Sequence, residues 1–175
     1  MIQLEQIKSY YPPYLSGNVL FSKYIIKEYI QLLILDFLSD SKWVKTVSFI
    51  GGTNLRLVKG LDRFSEDIDF DCKNFSKAEF IKMTDEVQLF LTRSGLAAEI
   101  REKESEILSA FRRSFYFPEL LYSLGLSGHK EERFLIKIEC QDQGYDYKPV
   151  NKIIEGCGFY FNFPVPDDRV LCAMK

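Results

Sequence analysis

The chain is poor in the residues that build many common functional sites. It has one histidine and four cysteines, and none of the cysteines forms a Cys-x-x-Cys pair. A structural zinc site takes about four such ligands at close spacing, so the sequence argues against one. Most of the cysteines lie beside apolar residues, which is typical of buried free thiols in a reducing compartment. They are Cys72, Cys140, Cys157 and Cys172.

Long apolar segments and an excess of positive charge are also missing. No apolar run approaches the ~18 residues of a membrane span, and the opening residues MIQLEQIKSYYPPYL lack the apolar core of a secretion signal. We therefore expect a cytoplasmic protein that has no membrane partner. The net charge of -2 excludes a generally basic protein that coats nucleic acid. It still allows a nucleotide or an RNA end to bind in one local basic cleft.

What the sequence does have is a large supply of apolar residues in helical and extended patterns. The 175 residues, 46% of them hydrophobic, suffice for a single domain over 1–175 with a real core. Helices are predicted at 18–39, 54–58 and 76–93, the last opened by a Ser76–Glu79 capping box. Strands are predicted at 44–50, 67–72, 107–117, 120–126, 133–140 and 145–154. The pattern predicts an α+β fold with a mixed sheet at its centre.

Three aspartates alternate along the predicted strand at 67–72. Asp67, Asp69 and Asp71 share one face, and the less polar residues between them share the other. Neighbouring carboxylates on this face lie ~6–7 Å apart and repel each other by roughly 2–3 kcal/mol at an effective dielectric near 20. A divalent cation would offset the repulsion, because Mg²⁺ binds through a few carboxylates plus substrate phosphates. A solvated edge strand, charged against aggregation, is an equal alternative on this pattern alone.

A Gly-Gly-Thr turn connects the predicted strand at 44–50 to the short helix. Its free backbone N–H groups and the helix dipole favour an anion, and Gly51 and Gly52 would let a phosphate approach closely. The Thr53 hydroxyl offers one more hydrogen bond. The alternative is a tight structural connection without a ligand. Together, the turn and the acidic strand predict a site for a nucleoside triphosphate.

The run FIGGTNLRLVKGLDRFSEDIDF, from Phe49 to Phe70, resembles the signature of the AbiEii/AbiGii toxin nucleotidyltransferases, which belong to the polymerase-β-like superfamily. The resemblance covers about 44–72. It implies a nucleotidyltransferase-like mixed sheet flanked by helices, with Mg²⁺ or Mn²⁺ bound at Asp67 and Asp69. It also implies that the Gly-Gly-Thr residues, Gly51, Gly52 and Thr53, hold the triphosphate.

The resemblance further implies a third metal-binding carboxylate on a neighbouring strand, for which Glu139 is our candidate. In the segment FLIKIECQ, Lys137 and Glu139 share the polar face, so Lys137 is a candidate phosphate contact. A surface ion pair between these two residues is the alternative. Arg63 and Ser65 are grouped with the nucleotide-binding residues in supporting roles, Arg63 to neutralise an aspartate and Ser65 to cap a turn.

By this resemblance, we expect transfer of a nucleotide from an NTP to an acceptor hydroxyl of RNA, such as tRNA. The biological role would be the toxin of a bacterial toxin–antitoxin or phage-defence pair, with a cognate antitoxin as partner. Two alternatives stay open. One is a catalytically inactive nucleotide-binding remnant, and the other is a sugar-nucleotide glycosyltransferase, which leaves Gly-Gly-Thr unexplained.

The resemblance stops near the end of the chain. Family members continue into a helical C-terminal half, and VLCAMK resembles its first turn, with Lys175 at the family's lysine and nucleotide-binding position. We expect an excised N-terminal domain or a truncated gene, in which the cleft is open on one side.

Overall fold

The protein folds around one mixed sheet, seen in a computed structural model that describes residues 2–101 and 110–174. The sheet consists of β1 (Ser48–Ile50), β2 (Asp67–Asp71), β3 (Glu99–Arg101), β4 (Phe111–Tyr116) and β5 (Leu135–Gln141). These strands lie side by side in the order β1-β2-β5-β4-β3. Strands β2 and β5 run parallel, whereas the other neighbouring pairs are antiparallel. The α+β prediction, with a mixed sheet flanked by helices, is confirmed.

Seven helices are described around the sheet: α1 (Leu4–Lys8), α2 (Pro13–Ser16), α3 (Val19–Ser39), α4 (Gly51–Leu57), α5 (Lys77–Arg93), α6 (Leu120–Ser123) and α7 (Asp168–Ala173). Helix α3 contributes the largest share of the core, including the fully buried Ile25, Ile26 and Ile30. In the part of the chain that the structure covers, no helix has both the length and the apolar character to cross a bilayer.

A separate hairpin covers the apolar side of the first two strands. It is formed by β6 (Val150–Gly156) and β7 (Phe159–Val165). The ring of Phe163 lies 6.0 Å from that of Phe49 on β1 and 5.8 Å from that of Phe70 on β2, measured between centroids. All three rings are almost fully buried. The hairpin therefore seals one side of β1 and β2, and the acidic residues of β2 alternate toward the other side.

The two longest helices agree with the sequence prediction, because short-range signals specify their ends. The Asn18 side chain accepts a hydrogen bond from the N–H of Leu20 and caps α3. At α5, Ser76 and Glu79 form the predicted capping box, in which each side chain accepts from the other residue's backbone N–H.

Several predicted strands differ from the structure. The segment predicted as a strand at 44–50 opens instead with a 3₁₀ turn, Lys42–Lys45, because the buried Trp43 donates its ring N–H to Glu86 over 2.6 Å. The predicted strand at 120–126 is the short helix α6, closed by Gly125 at a φ of +69°. The strand expected at 145–154 begins only at Val150, and the first three residues of the one at 107–117 lie outside the described residues.

The short helix α4 begins three residues earlier than predicted. Gly51, Gly52 and Thr53 form its first turn and are not a connection before it. Gly51 has a φ of +78°, a conformation that favours glycine, and this allows the chain to turn directly from β1 into the helix. The Gly-Gly-Thr sequence is therefore placed at the junction between β1 and α4, directly beside β2.

Candidate active site

The register of β2 and β5 brings the candidate carboxylates together. Asp69 is the backbone partner of Glu139, and Asp67 is the partner of Lys137. In parallel strands, paired residues project to the same side of the sheet. The alternating burial agrees, since Ile68 and Ile138 are fully buried on the opposite side. The expected position of Glu139, on a strand beside Asp69 and on its face of the sheet, is found.

Asp69 is a carboxylate without a partner. In the described parts of the chain, no side chain or backbone group donates a hydrogen bond to it or forms an ion pair with it. Burial, followed by the nearby carboxylates of Glu139 and Asp67, raises the pKa of Asp69 to about 6. The site therefore holds a partly buried negative charge that is incompletely compensated.

The two carboxylates beside it are held by cations. The Nζ of Lys137 lies 2.5 Å from an oxygen of Asp67 and 3.6 Å from an oxygen of Glu139. Arg112 on β4 binds Glu139 with its Nε at 2.6 Å and its Nη2 at 2.9 Å. The alternative ion pair between Lys137 and Glu139 is thus present, as one part of a larger network. Although burial opposes the charge of Lys137, its contact with Asp67 raises the pKa of that ammonium group.

Arg112 was missed by the sequence prediction. It lies in the segment FRRSFY, where no acidic partner is close in sequence, and it reaches Glu139 only through the antiparallel register of β4 and β5. The signal that could have found it is alternation. Arg112 and Ser114 share one face of β4, while Arg113 and Phe115 share the other. Because Arg112 lies on the polar face of its strand, it is a candidate ion-pair partner for Glu139 if the two strands are neighbours.

The third aspartate of β2 has a structural role. Asp71 is buried and accepts hydrogen bonds from the N–H of Gln143, at 2.9 Å, and from the Tyr147 hydroxyl, at 2.5 Å. Both donors lie in the segment between β5 and β6. Asp71 therefore fastens this segment to β2, and its oxygens are already occupied.

The two glycines are explained by the close approach of other side chains. A Cβ atom on Gly51 would lie 2.0 Å from a carboxylate oxygen of Asp69, and one on Gly52 would lie 2.7 Å from the hydroxyl of Ser65. Each distance is shorter than any real non-bonded contact of a Cβ atom. The sequence prediction assigned the glycines to a phosphate. The structure shows that they also make room for Asp69 and Ser65.

Thr53 makes a contact that the sequence analysis did not predict. Its side chain is buried, and its hydroxyl donates a hydrogen bond to the backbone carbonyl of Asp67. Because that proton is already used, the hydroxyl fixes the first turn of α4 to the start of β2. The next residue, Asn54, is fully buried and donates to the carbonyl of Phe49 over 2.7 Å, which ties α4 to β1 as well.

The residues predicted to support the site make contacts other than those expected from the sequence. The carbonyl of Ser65 accepts a hydrogen bond from Gln31 of α3, at 3.1 Å. Arg63 lines the site but forms no ion pair with any residue that the structure describes, and it is Lys137 that neutralises Asp67. Arg56 of α4 is bound to the buried Glu28 at 2.8 Å. Lys175 lies outside the described residues.

Two depressions meet at the acidic face. A cavity of about 350 Å³ lies on the side of Gly51 and Glu139, and its wall includes Leu61 and Leu171. A wider groove of about 1000 Å³ lies on the side of Asp67 and Lys137. The residues common to both are Gly52, Arg63, Ser65 and Asp69. A molecule in either depression would therefore reach Asp69.

The donor chemistry of the face fits a divalent cation, although the side chains are not yet gathered around one. Within residues 2–101 and 110–174, no three His, Cys, Asp or Glu side chains stand in an arrangement that could already hold a metal ion. Asp67 and Glu139 are instead paired with Lys137 and Arg112. The carboxylates at 67, 69 and 139 carry oxygen ligands of the kind that Mg²⁺ prefers.

The comparison with known families decides what kind of protein carries this site. The family described as nucleotidyl transferase AbiEii toxin, type IV toxin–antitoxin system, matches residues 33–159. The chain belongs to this family. The matched range of the AbiEii domain contains Asp67, Asp69 and Glu139, and it favours nucleotidyl transfer over the sugar-nucleotide alternative.

Solved structures show the same fold. MenT4, a nucleotidyltransferase toxin from Mycobacterium tuberculosis H37Rv, superposes with a TM-score of 0.62 at 17% identity, over 99% of this chain and 57% of that one. JHP933 from Helicobacter pylori superposes with a TM-score of 0.55 at 19% identity, over 86% of this chain and 54% of that one. The AbiEii domain thus spans little more than half the length of either structure. A search of curated proteins gives no match.

Proposed function

We propose that this AbiEii domain binds a nucleoside triphosphate with a divalent cation and transfers its nucleotide to a hydroxyl of RNA. The proposal is carried by one observation, the pairing of Asp69 with Glu139 on one face of two parallel strands, directly against Gly51. Family membership supports the reaction class. The identity of the cation as Mg²⁺ or Mn²⁺, and of the acceptor as tRNA, belongs to the proposal.

In the proposed reaction, the acceptor oxygen bonds to the α-phosphorus of the NTP. The bond from that phosphorus to the bridging oxygen breaks, and pyrophosphate leaves. The hydroxyl proton passes to a carboxylate of the face and then to water. Cations held by Asp67, Asp69 and Glu139 would lower the pKa of the acceptor hydroxyl and stabilise the leaving pyrophosphate.

The residues of the chain prepare the site in two ways. The backbone at Gly51 and Gly52 keeps the start of α4 close to Asp69, so a triphosphate at the helix start would lie next to the carboxylates. Lys137 and Arg112 hold Asp67 and Glu139 while the site is empty, and they become available to phosphate oxygens when a cation takes these carboxylates. Asp67 and Glu139 would then bind the divalent cation, and Lys137 and Arg112 would bind phosphate oxygens, so that each of these four side chains keeps a partner of opposite charge.

The biological role follows from the family. We propose that the whole protein is the toxin of a toxin–antitoxin pair that acts in phage defence and is neutralised by a cognate antitoxin. MenT4 is described as a nucleotidyltransferase toxin, and it shares this fold. Because the domain matches only part of MenT4, this role is proposed for the complete protein.

The test is transfer of label from each of the four NTPs to total RNA, with Mg²⁺, with Mn²⁺ and with chelator. Asp69→Asn and Glu139→Gln should each lower transfer by more than about 100-fold, since loss of groups that only support metal ligands already costs about 10–100-fold. The matched control is Asp146→Asn, because Asp146 is a fully exposed carboxylate in an ion pair with Lys73. Nucleotide binding without transfer would identify a nucleotide-binding remnant, and absence of both would refute the proposal.

A further inference from the structure

The wider groove beside the acidic face has an unusual lining. It opens at the N-terminal ends of β2 and β5, and its floor carries Asp67, Asp69 and Lys137. Its walls carry four aromatic rings, which belong to Tyr14, Phe21, Tyr24 and Phe64. The rings of this lining that stay exposed need an explanation, because apolar surface in contact with water is unfavourable.

The rings form a platform that is fixed before any ligand binds. Tyr24 stacks on Phe64, with centroids 5.6 Å apart and planes 20° apart. The Arg56 guanidinium lies 4.5 Å from the centroid of the same Phe64 ring. Arg56 is held in turn by the buried Glu28 at 2.8 Å. A ligand that stacks here would therefore not have to order the Phe64 and Tyr24 rings first.

Two of the rings are open to solvent. Tyr14 is 64% exposed, and Tyr24 is 41% exposed even though it stacks on Phe64. Both tyrosines therefore present a free surface to the groove. Phe21 and Phe64, by contrast, are part of the packing against the core.

The charges of the groove do not repel a phosphodiester chain as strongly as its composition suggests. Asp62 is paired with Arg56 at 3.3 Å, and Glu66 is paired with Lys27 at 2.6 Å. Asp67 is paired with Lys137 on the floor. Arg63, which lines the same groove, has no ion-pair partner in the described parts of the chain. It is therefore available to a phosphate group.

The two depressions differ in volume, and each volume suits a different ligand. The cavity of about 350 Å³ at Gly51 and Gly52 is close to the lower limit for a small-molecule site, which suits one nucleotide. The groove of about 1000 Å³ is large enough for several linked nucleotides. Both include Asp69, so ligands in the two depressions would meet there.

We infer that the groove binds the unpaired 3′ end of the acceptor RNA, with bases stacked on Tyr14 and Tyr24 and the terminal hydroxyl directed at Asp69. This rests on the proposed function, since the acceptor must reach the carboxylates that bind the donor nucleotide. Unpaired bases are recognised largely by stacking on aromatic side chains, and this needs no particular sequence. Duplex RNA would not expose its bases to these rings.

The test measures binding of a fluorescent single-stranded tetraribonucleotide with a free 3′ hydroxyl, without metal or NTP. Tyr14→Ala and Tyr24→Ala should each weaken binding by roughly 5- to 150-fold, the range of one base-stacking contact. Tyr14→Phe and Tyr24→Phe should retain it, because the ring is kept. Tyr160→Ala is the matched control, since Tyr160 is 66% exposed on β7 and does not line the groove. A blunt-ended RNA duplex should bind more weakly than the single strand.

NTP binding, measured separately with Mg²⁺, distinguishes failure of this inference from failure of the proposed function. If NTP binds but the tetranucleotide does not, the inference is wrong and the proposed function stands. If the tetranucleotide binds equally to the wild type and to both alanine variants, the groove is not its site. Loss of NTP affinity in the alanine variants, with tetranucleotide affinity intact, would assign the groove to the donor. Each of these outcomes overturns the inference.

Discussion

Two carboxylates in this domain, one buried and one partly buried, differ in whether the protein supplies their partners. Glu28 on α3 is 6% exposed, and Arg56 binds it with its Nε at 2.8 Å while the Tyr11 hydroxyl donates to it at 2.9 Å. Asp69 on β2 is also largely withdrawn from water, yet it receives no hydrogen bond or ion pair from any described residue. The two lie in one fold and differ in whether the protein itself supplies the compensating charge.

The difference separates a structural charge from a functional one. A buried charge with its partners in place is part of the packing, and its removal exposes the partners to the same desolvation cost. A buried charge without partners costs stability in every molecule that folds, so it persists where a ligand brings the missing charge. By this argument, Glu28 supports the aromatic platform through Arg56, and we propose that Asp69 is the carboxylate that receives its missing charge from a bound cation.

The largest expected effect is at the compensated charge. Glu28→Ala should lower the free energy of unfolding by about 3–5 kcal/mol, because it leaves the largely buried Arg56 with only the exposed Asp62 as an ion-pair partner. Urea denaturation measures this change. Glu5→Ala is the control, since Glu5 is exposed in a surface ion pair with Lys8 and should change stability by less than about 1 kcal/mol. An equal loss in both variants would mean that the Glu28 network is not a special structural element.

The opposite sign is expected at Asp69. Asp69→Asn should stabilise the metal-free domain at pH 7.5 by as much as about 3 kcal/mol, which is the cost of a pKa raised from 3.8 to about 6 at 1.36 kcal/mol per unit. A carboxyl group with a raised folded-state pKa destabilises the fold progressively as the pH rises from about 4 to about 6. The gain should therefore be complete above pH 6 and vanish below pH 4. Denaturation across this range checks it, and a variant less stable than wild type at pH 7.5 would contradict it.

The sequence predicted those parts of the fold whose signals are local. The alternation along β2 and the capping box of α5 act within a few residues, and both appear as expected. The strand β7 and the hairpin turn before it were missed. Its turn residues, Cys157 and Gly158, have φ values of +50° and +85°, as a two-residue turn of type I′ requires. Cysteine is an uncommon choice at that position, so the turn has no familiar signature.

The candidate site was predictable to the same extent. Asp67, Asp69 and Glu139 were placed on one face because strand alternation determines it, and the parallel register then brought the two strands together. Arg112 could not be placed, since its contact with Glu139 depends on which strand lies beside β5. The contact of the Thr53 hydroxyl with the carbonyl of Asp67 could not be predicted for a related reason, because it is a tertiary contact.

Metal binding should follow the protonation of Asp69. A proton and a divalent cation compete for this carboxylate, whose pKa in the metal-free domain is about 6. Below that pH, affinity for Mg²⁺ should fall by up to about tenfold per pH unit, and above it the affinity should level off. Titration calorimetry between pH 5 and pH 8 measures this. Asp69→Asn should bind Mg²⁺ weakly, and its affinity should depend little on pH near 6. If the affinity of both proteins depends on pH in the same way, the titrating group is a residue other than Asp69.

The smallest expected effect is the change in Mg²⁺ affinity when Lys137, the ammonium group beside Asp67, is replaced. Lys137 pairs with Asp67 while both side chains are about one-third exposed, so their ion pair is worth only about 0.2–1 kcal/mol. Lys137→Met removes this competitor, and Mg²⁺ affinity without nucleotide should rise by about 1.4- to 5-fold. NTP affinity should fall in the same variant, because the ammonium group is no longer available to a phosphate. Lys73→Met is the control, since Lys73 pairs with the exposed Asp146 and should change neither affinity. If Lys137→Met weakens Mg²⁺ binding, the prediction is wrong. Lys137 then holds Asp67 in the position that Mg²⁺ needs, and it does not compete with Mg²⁺ for Asp67.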